Sequence, residues 1–314
     1  MIEYNLTAYL ISLGISVLCA CVFFSFSLRK QQALSTGRAA SAGACVLILG
    51  TVLGLLGAKL FYFIFRFFVI VEIGVGRYWS SLQTEELSFF GGVAGVTLSV
   101  FLTAKIFHLP ARQTLNSFAA AGALIAAAAR FAEYFLFPTG LGDILENPLP
   151  FPLAVNVFYG EDYSESMLAV FMFEGIASLI ACVLSVVHRD EPRRFLRTLF
   201  YICLPQIILE SLRTDTIDIL LLHVEQLVCY LFVQGVLIWY GFKCGKRRFA
   251  SWIPALVGLV VCGLTIAEEF MLEGKILLNG EPVPRLLTYS VMAVGLIALA
   301  VVEHIGNRRL SAQS

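Results

Sequence analysis

The 314-residue chain is 59% apolar and only 14% charged, its formal net charge is zero, and its mean hydropathy is +0.84. That balance excludes an ordinary soluble globular domain, and the lack of surplus basic charge excludes a nucleic-acid-binding protein. The composition is that of a polytopic membrane protein, an all-α transmembrane helical bundle.

Nine runs are long and apolar enough to cross ~30 Å of hydrocarbon. They lie at about Leu6–Leu28, Ala44–Phe65, Ser88–Phe107, Leu115–Phe137, Ser166–Val187, Phe195–Leu212, Leu220–Phe242, Trp252–Phe270 and Leu286–Val302. Every second loop is basic: Arg29, Lys30 and Arg38 follow the first span, Lys105 and Arg112 the third, and Arg189, Arg193, Arg194 and Arg197 the fifth. Lys243, Lys246, Arg247 and Arg248 follow the seventh, and Arg308 and Arg309 the ninth. The intervening loops carry Glu85 and Glu86, then Asp143, Glu146, Glu161, Asp162 and Glu165, then Asp215 and Asp218, then Glu273 and Glu281. Short basic loops stay cytoplasmic, so this alternation predicts an outside N-terminus and a cytoplasmic C-terminus.

The longest polar stretch, Thr139 to Glu165 with Pro148, Pro150 and Pro152, is long for a bare connection and predicts a short interfacial element. Met1-Ile-Glu-Tyr4 lacks a basic n-region, so the first span is read as retained and not as a cleaved signal. The eight cysteines fall within spans or at the cytoplasmic end of one. They read as small apolar packing residues, with no metal or redox role implied.

Four constellations place polar groups at membrane depth. In the second span Gly54, Gly57 and Ala58 precede Lys59, Phe61 and Tyr62; the lysine is a ligand-binding cation or one that snorkels to a helix end. The third span opens with Gly91, Gly92 and Gly95. Glycines at that density serve close helix packing, or an unwound helix start whose free N–H groups hold an anion. In the fourth, Arg130 lies deep in an alanine-rich run and Glu133 follows three residues on, on the same helix face. An arginine at that depth costs at least a few kcal/mol, so it reads as functional, with a structural ion pair as the alternative. The sixth span ends in Gln206, Glu210 and Arg213, whose spacing puts amide, carboxylate and guanidinium on one face; an interfacial anchor bonded to Glu210 is the bland reading of Arg213. Glu174 and Gln226 add further polar groups.

In this order the motifs resemble those of the prolipoprotein diacylglyceryl transferase family. Gly57-Ala58-Lys59-Leu60-Phe61-Tyr62 is similar to the family's G-A-R-x-G-Y motif, and Ser88-Phe89-Phe90-Gly91-Gly92-Val93-Ala94-Gly95 to its S-F-H-G-G-x-x-G. Ala129-Arg130-Phe131-Ala132-Glu133-Tyr134 resembles G-R-x-x-N-F, and Glu174-Gly175 the family's E-G pair. Gln206, Glu210 and Arg213 fall on R-x-x-x-E-x-x-R, and Glu225-Gln226-Leu227 on G-Q-L. The resemblance divides the chain into a seven-span transferase-like membrane domain, residues 1–245, and an added C-terminal two-span hairpin, residues 246–314.

Membership implies a multi-pass protein of the bacterial cytoplasmic membrane that moves a diacylglyceryl group from phosphatidylglycerol to a lipobox cysteine, without a cofactor or metal. It implies catalytic roles for Arg130 and Glu210, with Glu133, at the family's asparagine, as a catalytic candidate of this chain's own, and head-group binding by Lys59, Gly91, Gly92, Arg130, Arg213 and Gln226. The partners so implied are an anionic phospholipid and a preprolipoprotein acceptor. Yet Phe90 stands where the family has histidine and Gln206 where it has a second arginine. Phenylalanine takes no proton and glutamine neutralises no phosphate, which leaves Glu133 as the substitute base. Two readings follow: a divergent transferase, or a non-catalytic lipid- or lipoprotein-binding homologue. A transporter is a distant third, because no inverted repeat of broken helices is evident.

Overall fold

The computed structural model describes residues 5–81, 86–136, 138–158, 163–219, 222–244, 251–272, 274–278 and 281–311. Outside them lie Met1–Tyr4, the predicted span ends Phe137 and Leu220, and the loop charges Glu85, Glu161, Asp162, Lys246, Arg247, Arg248 and Glu273. The chain forms two compact units, one of Met1–Leu199 with Arg213–Asp215 and one of Phe200–Leu212 with Thr216–Ser314.

In the first unit α1 (Leu6–Gln32) and α2 (Thr36–Phe65) lead into two short helices, α3 (Phe67–Ile73) and α4 (Val75–Ser80). There follow α5 (Phe89–Ile106), α6 (Ala111–Ala132) with a 3-10 turn at Glu133–Phe135, the antiparallel hairpin of β1 (Ala154–Phe158) and β2 (Ser164–Leu168), and α7 (Val170–Val187). Helix α8 (Arg194–Ser211) begins here and continues into the second unit. That unit adds the short pair β3 (Asp218–Ile219) and β4 (Leu222–His223), then α9 (Val224–Lys243) and α10 (Ile253–Leu272), then β5 (Leu277–Leu278) with β6 (Glu281–Pro282), and α11 (Arg285–Ser311).

The architecture is the all-α membrane bundle that the composition predicts. Among the described residues eight helices are long and apolar enough to cross a membrane: α1, α2, α5, α6, α7, α9, α10 and α11. That is one fewer than the nine runs read from the sequence. The remaining predicted span is an 18-residue helix, α8, but Arg194, Arg197 and Glu210 give it more charge than the other eight carry in their apolar windows.

Side-chain acceptors set several helix starts. Asn5 Oδ1 accepts the Ala8 N–H at 2.9 Å ahead of α1, and Ser88 Oγ accepts the Gly91 N–H at 3.4 Å ahead of α5, each satisfying a donor that the first turn leaves open. Of these eight, α6 with the turn that follows it is the most buried, 56% of its apolar stretch lying inside the protein against 17% for α1. Its alanines explain this: Ala119, Ala120, Ala121, Ala123 and Ala127 are buried, and their small size lets α1, α5 and α7 approach. Phe24 of α1 meets Phe118 of α6 edge to face, centroids 5.5 Å apart, within a core that includes Leu28, Val46 and Val100.

Glycines join α2 to α5. A Cβ on Gly91 would lie 2.9 Å from Ala58 Cα and 2.6 Å from Phe61 Cβ, and one on Gly95 would lie 2.9 Å from Gly54 Cα. At these distances no side chain fits at either position.

The stretch from Thr139 to Glu165 holds a β-hairpin, more structure than the short interfacial element expected there. Its preceding strand-like segment bonds along β2, Gly142 N–H to Leu168 O and Leu145 N–H to Ser166 O, each at 2.8 Å. The segment Arg213–Asp215 docks on the same loop, with Thr214 N–H bonded to Leu141 O at 3.0 Å and Gly142 bridged to Arg213.

Candidate functional site

The last turn of α6 carries Arg130, 2% exposed. Its Nη1 donates to Glu133 Oε1 at 2.8 Å, and its Nε lies 3.3 Å from Glu174 Oε2. The guanidinium carbon lies over the Phe89 ring, 4.1 Å from its centroid, a favourable contact for a desolvated cation. Thus the aromatic pair before Gly91 and Gly92 reaches the site through Phe89, while Phe90, 6% exposed, packs edge to face against it.

A second guanidinium enters from the loop after α8. Arg213 Nη1 lies 2.8 Å from Glu174 Oε2 and 3.3 Å from Glu133 Oε2. Its other edge grips Asp215 in a fork, Nε to Oδ1 at 3.0 Å and Nη2 to Oδ2 at 2.8 Å. Glu174, with a fully buried side chain, therefore sits between the two arginines. Two guanidiniums face three carboxylates, which leaves one negative charge in surplus unless a carboxyl takes up a proton. At Asp215 burial pushes the carboxyl up, but the Arg213 charge and hydrogen bonds, with the Gly140 N–H, outweigh it and hold the group below the usual carboxylate range.

Gly140 closes this corner. Its φ of +76° is in the left-handed region, and a Cβ there would collide with Glu133 Oε2 and lie 2.9 Å from Phe171 Cβ. Its N–H donates to Asp215 Oδ2 at 3.0 Å. Tyr9 of α1 lies within electrostatic reach of Glu133 and Arg130.

Lys59 has a structural task. Buried at 5% exposure, its Nζ donates to the Tyr78 carbonyl at 2.6 Å and to the Ser81 carbonyl. These carbonyls close α4, where a cation meets the negative end of the helix dipole. Tyr78 returns a hydrogen bond from its hydroxyl to Lys59 O at 2.6 Å. Burial, aided by the Glu86 carboxylate, pushes the Tyr78 phenol up. Gly91 serves the close approach of α2 described above, and Gly92 leaves more room, with Ala58 Cβ and Gly54 O each 3.8 Å from its absent Cβ.

The other expected site residues belong to the second unit. Gln206 Nε2 donates to Glu210 Oε2 at 3.0 Å, as the i, i+4 spacing predicts. Gln226 is fully buried, and its Nε2, with two hydrogens to donate, lies within bonding distance of three acceptors: Ile207 O at 3.0 Å, Ser211 Oγ at 3.0 Å and Glu269 Oε1 at 2.7 Å.

The pairing of Arg130 with Glu133 was readable from spacing. Glu174 was noted as a polar group at depth, but its place between two arginines was not legible. Asp215 was noted only as an acidic loop residue. Gly140 and Tyr9 were missed; the Thr139-Gly140-Leu141-Gly142 turn is the one sequence signal for the former.

Fold and site define a polytopic membrane protein with a buried ionic cluster at the end of its central helix. The chain belongs to the prolipoprotein diacylglyceryl transferase family, whose model matches residues 2–241. Comparison with curated proteins finds no match.

Proposed function

We propose that the chain is a divergent diacylglyceryl transferase of the bacterial cytoplasmic membrane, taking its lipid group from an anionic phospholipid such as phosphatidylglycerol. The observation that carries this reading is the buried pair Arg130 and Arg213, two planar guanidiniums on shared carboxylates. A guanidinium matches a phosphate bidentately, which a lysine cannot do. In the reaction the acceptor's cysteine sulfur attacks a glycerol carbon. The new S–C bond forms as the C–O bond to phosphate breaks, and the phosphate leaves on its own head group. Glu133 takes the thiol proton, and Arg130 and Arg213 offset the charge on the leaving phosphate. In this reading Lys59, Gly91 and Gly92 support the lipid site through the packing of α2, α4 and α5, which sets Phe89 against Arg130. The N-terminus is outside, and residues 246–314 form an added hairpin that returns the C-terminus to the cytoplasm.

One observation favours the alternative, a non-catalytic lipid- or lipoprotein-binding homologue. The two guanidiniums already face three carboxylates, so a phosphate gains access only after a carboxyl is protonated or turns away. Phe90 and Gln206 point the same way. The deciding experiment is transfer of radiolabelled diacylglyceryl from phosphatidylglycerol to a lipobox peptide by the purified protein, with co-purifying phospholipid measured on the same sample. Transfer supports the enzyme; retained lipid without transfer supports the homologue; neither refutes both.

A further inference from the structure

Within the second unit α9 carries a polar stripe, Gln226, Tyr230 and Gln234, at four-residue spacing, which puts the three on one helix face. It faces α10: Gln226 Nε2 bonds Glu269 at 2.7 Å, and Gln234 Nε2 bonds the Ala255 carbonyl at 3.0 Å. The amides are thereby oriented with their oxygens left over. Gln226 Oε1, Tyr230 Oη, Gln234 Oε1 and both Glu268 oxygens are buried, and at bonding geometry none has a partner among the described residues. Thr265 stands beside both Tyr230 and Glu268, but its hydroxyl has a single proton to donate. Glu268 is 4% exposed and Glu269 5%.

A carboxylate left without a donor in hydrocarbon costs several kcal/mol unless something cationic or a proton reaches it. The unused oxygens call for a donor. A primary ammonium brings three N–H donors, no acceptor and the missing positive charge. Among the described residues no set of three or more His, Cys, Asp or Glu side chains is arranged to hold a metal ion.

We propose that the face between α9 and α10 binds the ammonium of an aminophospholipid head group, with Glu268 as counter-ion and Gln226, oriented by Glu269, as a further acceptor. This lipid is distinct from the anionic donor proposed above. Glu268 and Glu269 lie beyond residues 2–241, the stretch that the family model matches, whereas Gln226, Tyr230 and Gln234 lie within it.

The test is lipid retention by the full-length protein in nanodiscs, read by native mass spectrometry, with phosphatidylethanolamine competing against phosphatidylcholine, whose trimethylated nitrogen has no N–H. The unmodified protein should prefer phosphatidylethanolamine by at least about tenfold, the worth of one charge-assisted hydrogen bond. Glu268→Gln should abolish the preference while leaving the melting temperature equal or higher. Glu269→Ala should weaken it through Gln226, and little further when Gln226→Ala is added. Equal retention of the two lipids, or a preference that survives Glu268→Gln, overturns the proposal. So does phosphatidylglycerol displacing phosphatidylethanolamine as well as phosphatidylethanolamine itself does, because hydroxyl donors would then suffice. Retention of phosphatidylglycerol alone, read in parallel, reports separately on the donor-lipid reading.

Discussion

Arg213 and Asp215, two residues apart, lock together through both edges of the fork, Nε to Oδ1 at 3.0 Å and Nη2 to Oδ2 at 2.8 Å. This grip leaves Nη1 free to reach Glu174 at 2.8 Å, so a surface carboxylate aims a guanidinium into the buried cluster.

Asp215→Asn should therefore misdirect Arg213 and destabilise the first unit by about 1–3 kcal/mol. Because the Asp215 carboxyl is held below its ordinary value in the folded protein, its contribution is complete above the unfolded-state value, near pH 4, and is lost as pH falls through the lower folded value. Thermal unfolding in detergent from pH 6 downward should show an acid-side loss in the unmodified protein that is smaller in Asp215→Asn. Equal slopes would show that the fork contributes nothing.

Arg130→Lys should reduce phospholipid retention at least about tenfold although the charge is kept, since the planar fork and its contact with Phe89 are both lost. Arg130→Ala leaves Glu174 facing one arginine fewer and should cost about 3–5 kcal/mol of stability. Lipid quantified after purification and a melting curve on the same samples separate the two effects; full retention by the lysine variant would rule out bidentate phosphate binding.

Transfer activity should be slow in the unmodified protein and rise when Phe90→His and Gln206→Arg are made together, by about 10²–10⁴ if a general base is what is missing. Glu133→Gln should abolish whatever activity the unmodified protein has. Undiminished turnover in Glu133→Gln would remove Glu133 from the mechanism.

Orientation is open to reporter fusions. Reporters after Asp190 and after Asp218 should fall on opposite sides if α8 crosses the membrane despite its three charged residues, Arg194, Arg197 and Glu210. Reporters after Arg248 and after Lys275 should also disagree, because the basic loop before α10 stays cytoplasmic. Agreement in the second pair would eliminate the C-terminal hairpin.

What the amino-acid order determined by itself is whatever is local or additive along the chain. Nine apolar runs were read as spans, and eight of them are helices long and apolar enough to cross a membrane, because hydrocarbon thickness sets the length a span needs. The contact of Arg130 with Glu133 and that of Gln206 with Glu210 followed from spacing, because residues three or four apart share a helix face. The ordered motifs also carried the family, later matched over residues 2–241. Tertiary structure alone decided which distant charges meet: Arg213 with Glu174 across 39 positions, and Gln226 with Glu269 across 43. No periodicity encodes such pairs. They depend on how far alanine and glycine let helices close, on a loop whose corner needs the positive φ of Gly140, and on Lys59 turning to the carbonyls of α4. Where a charge settles in a membrane protein depends on which partners packing brings within reach, because hydrocarbon offers it none.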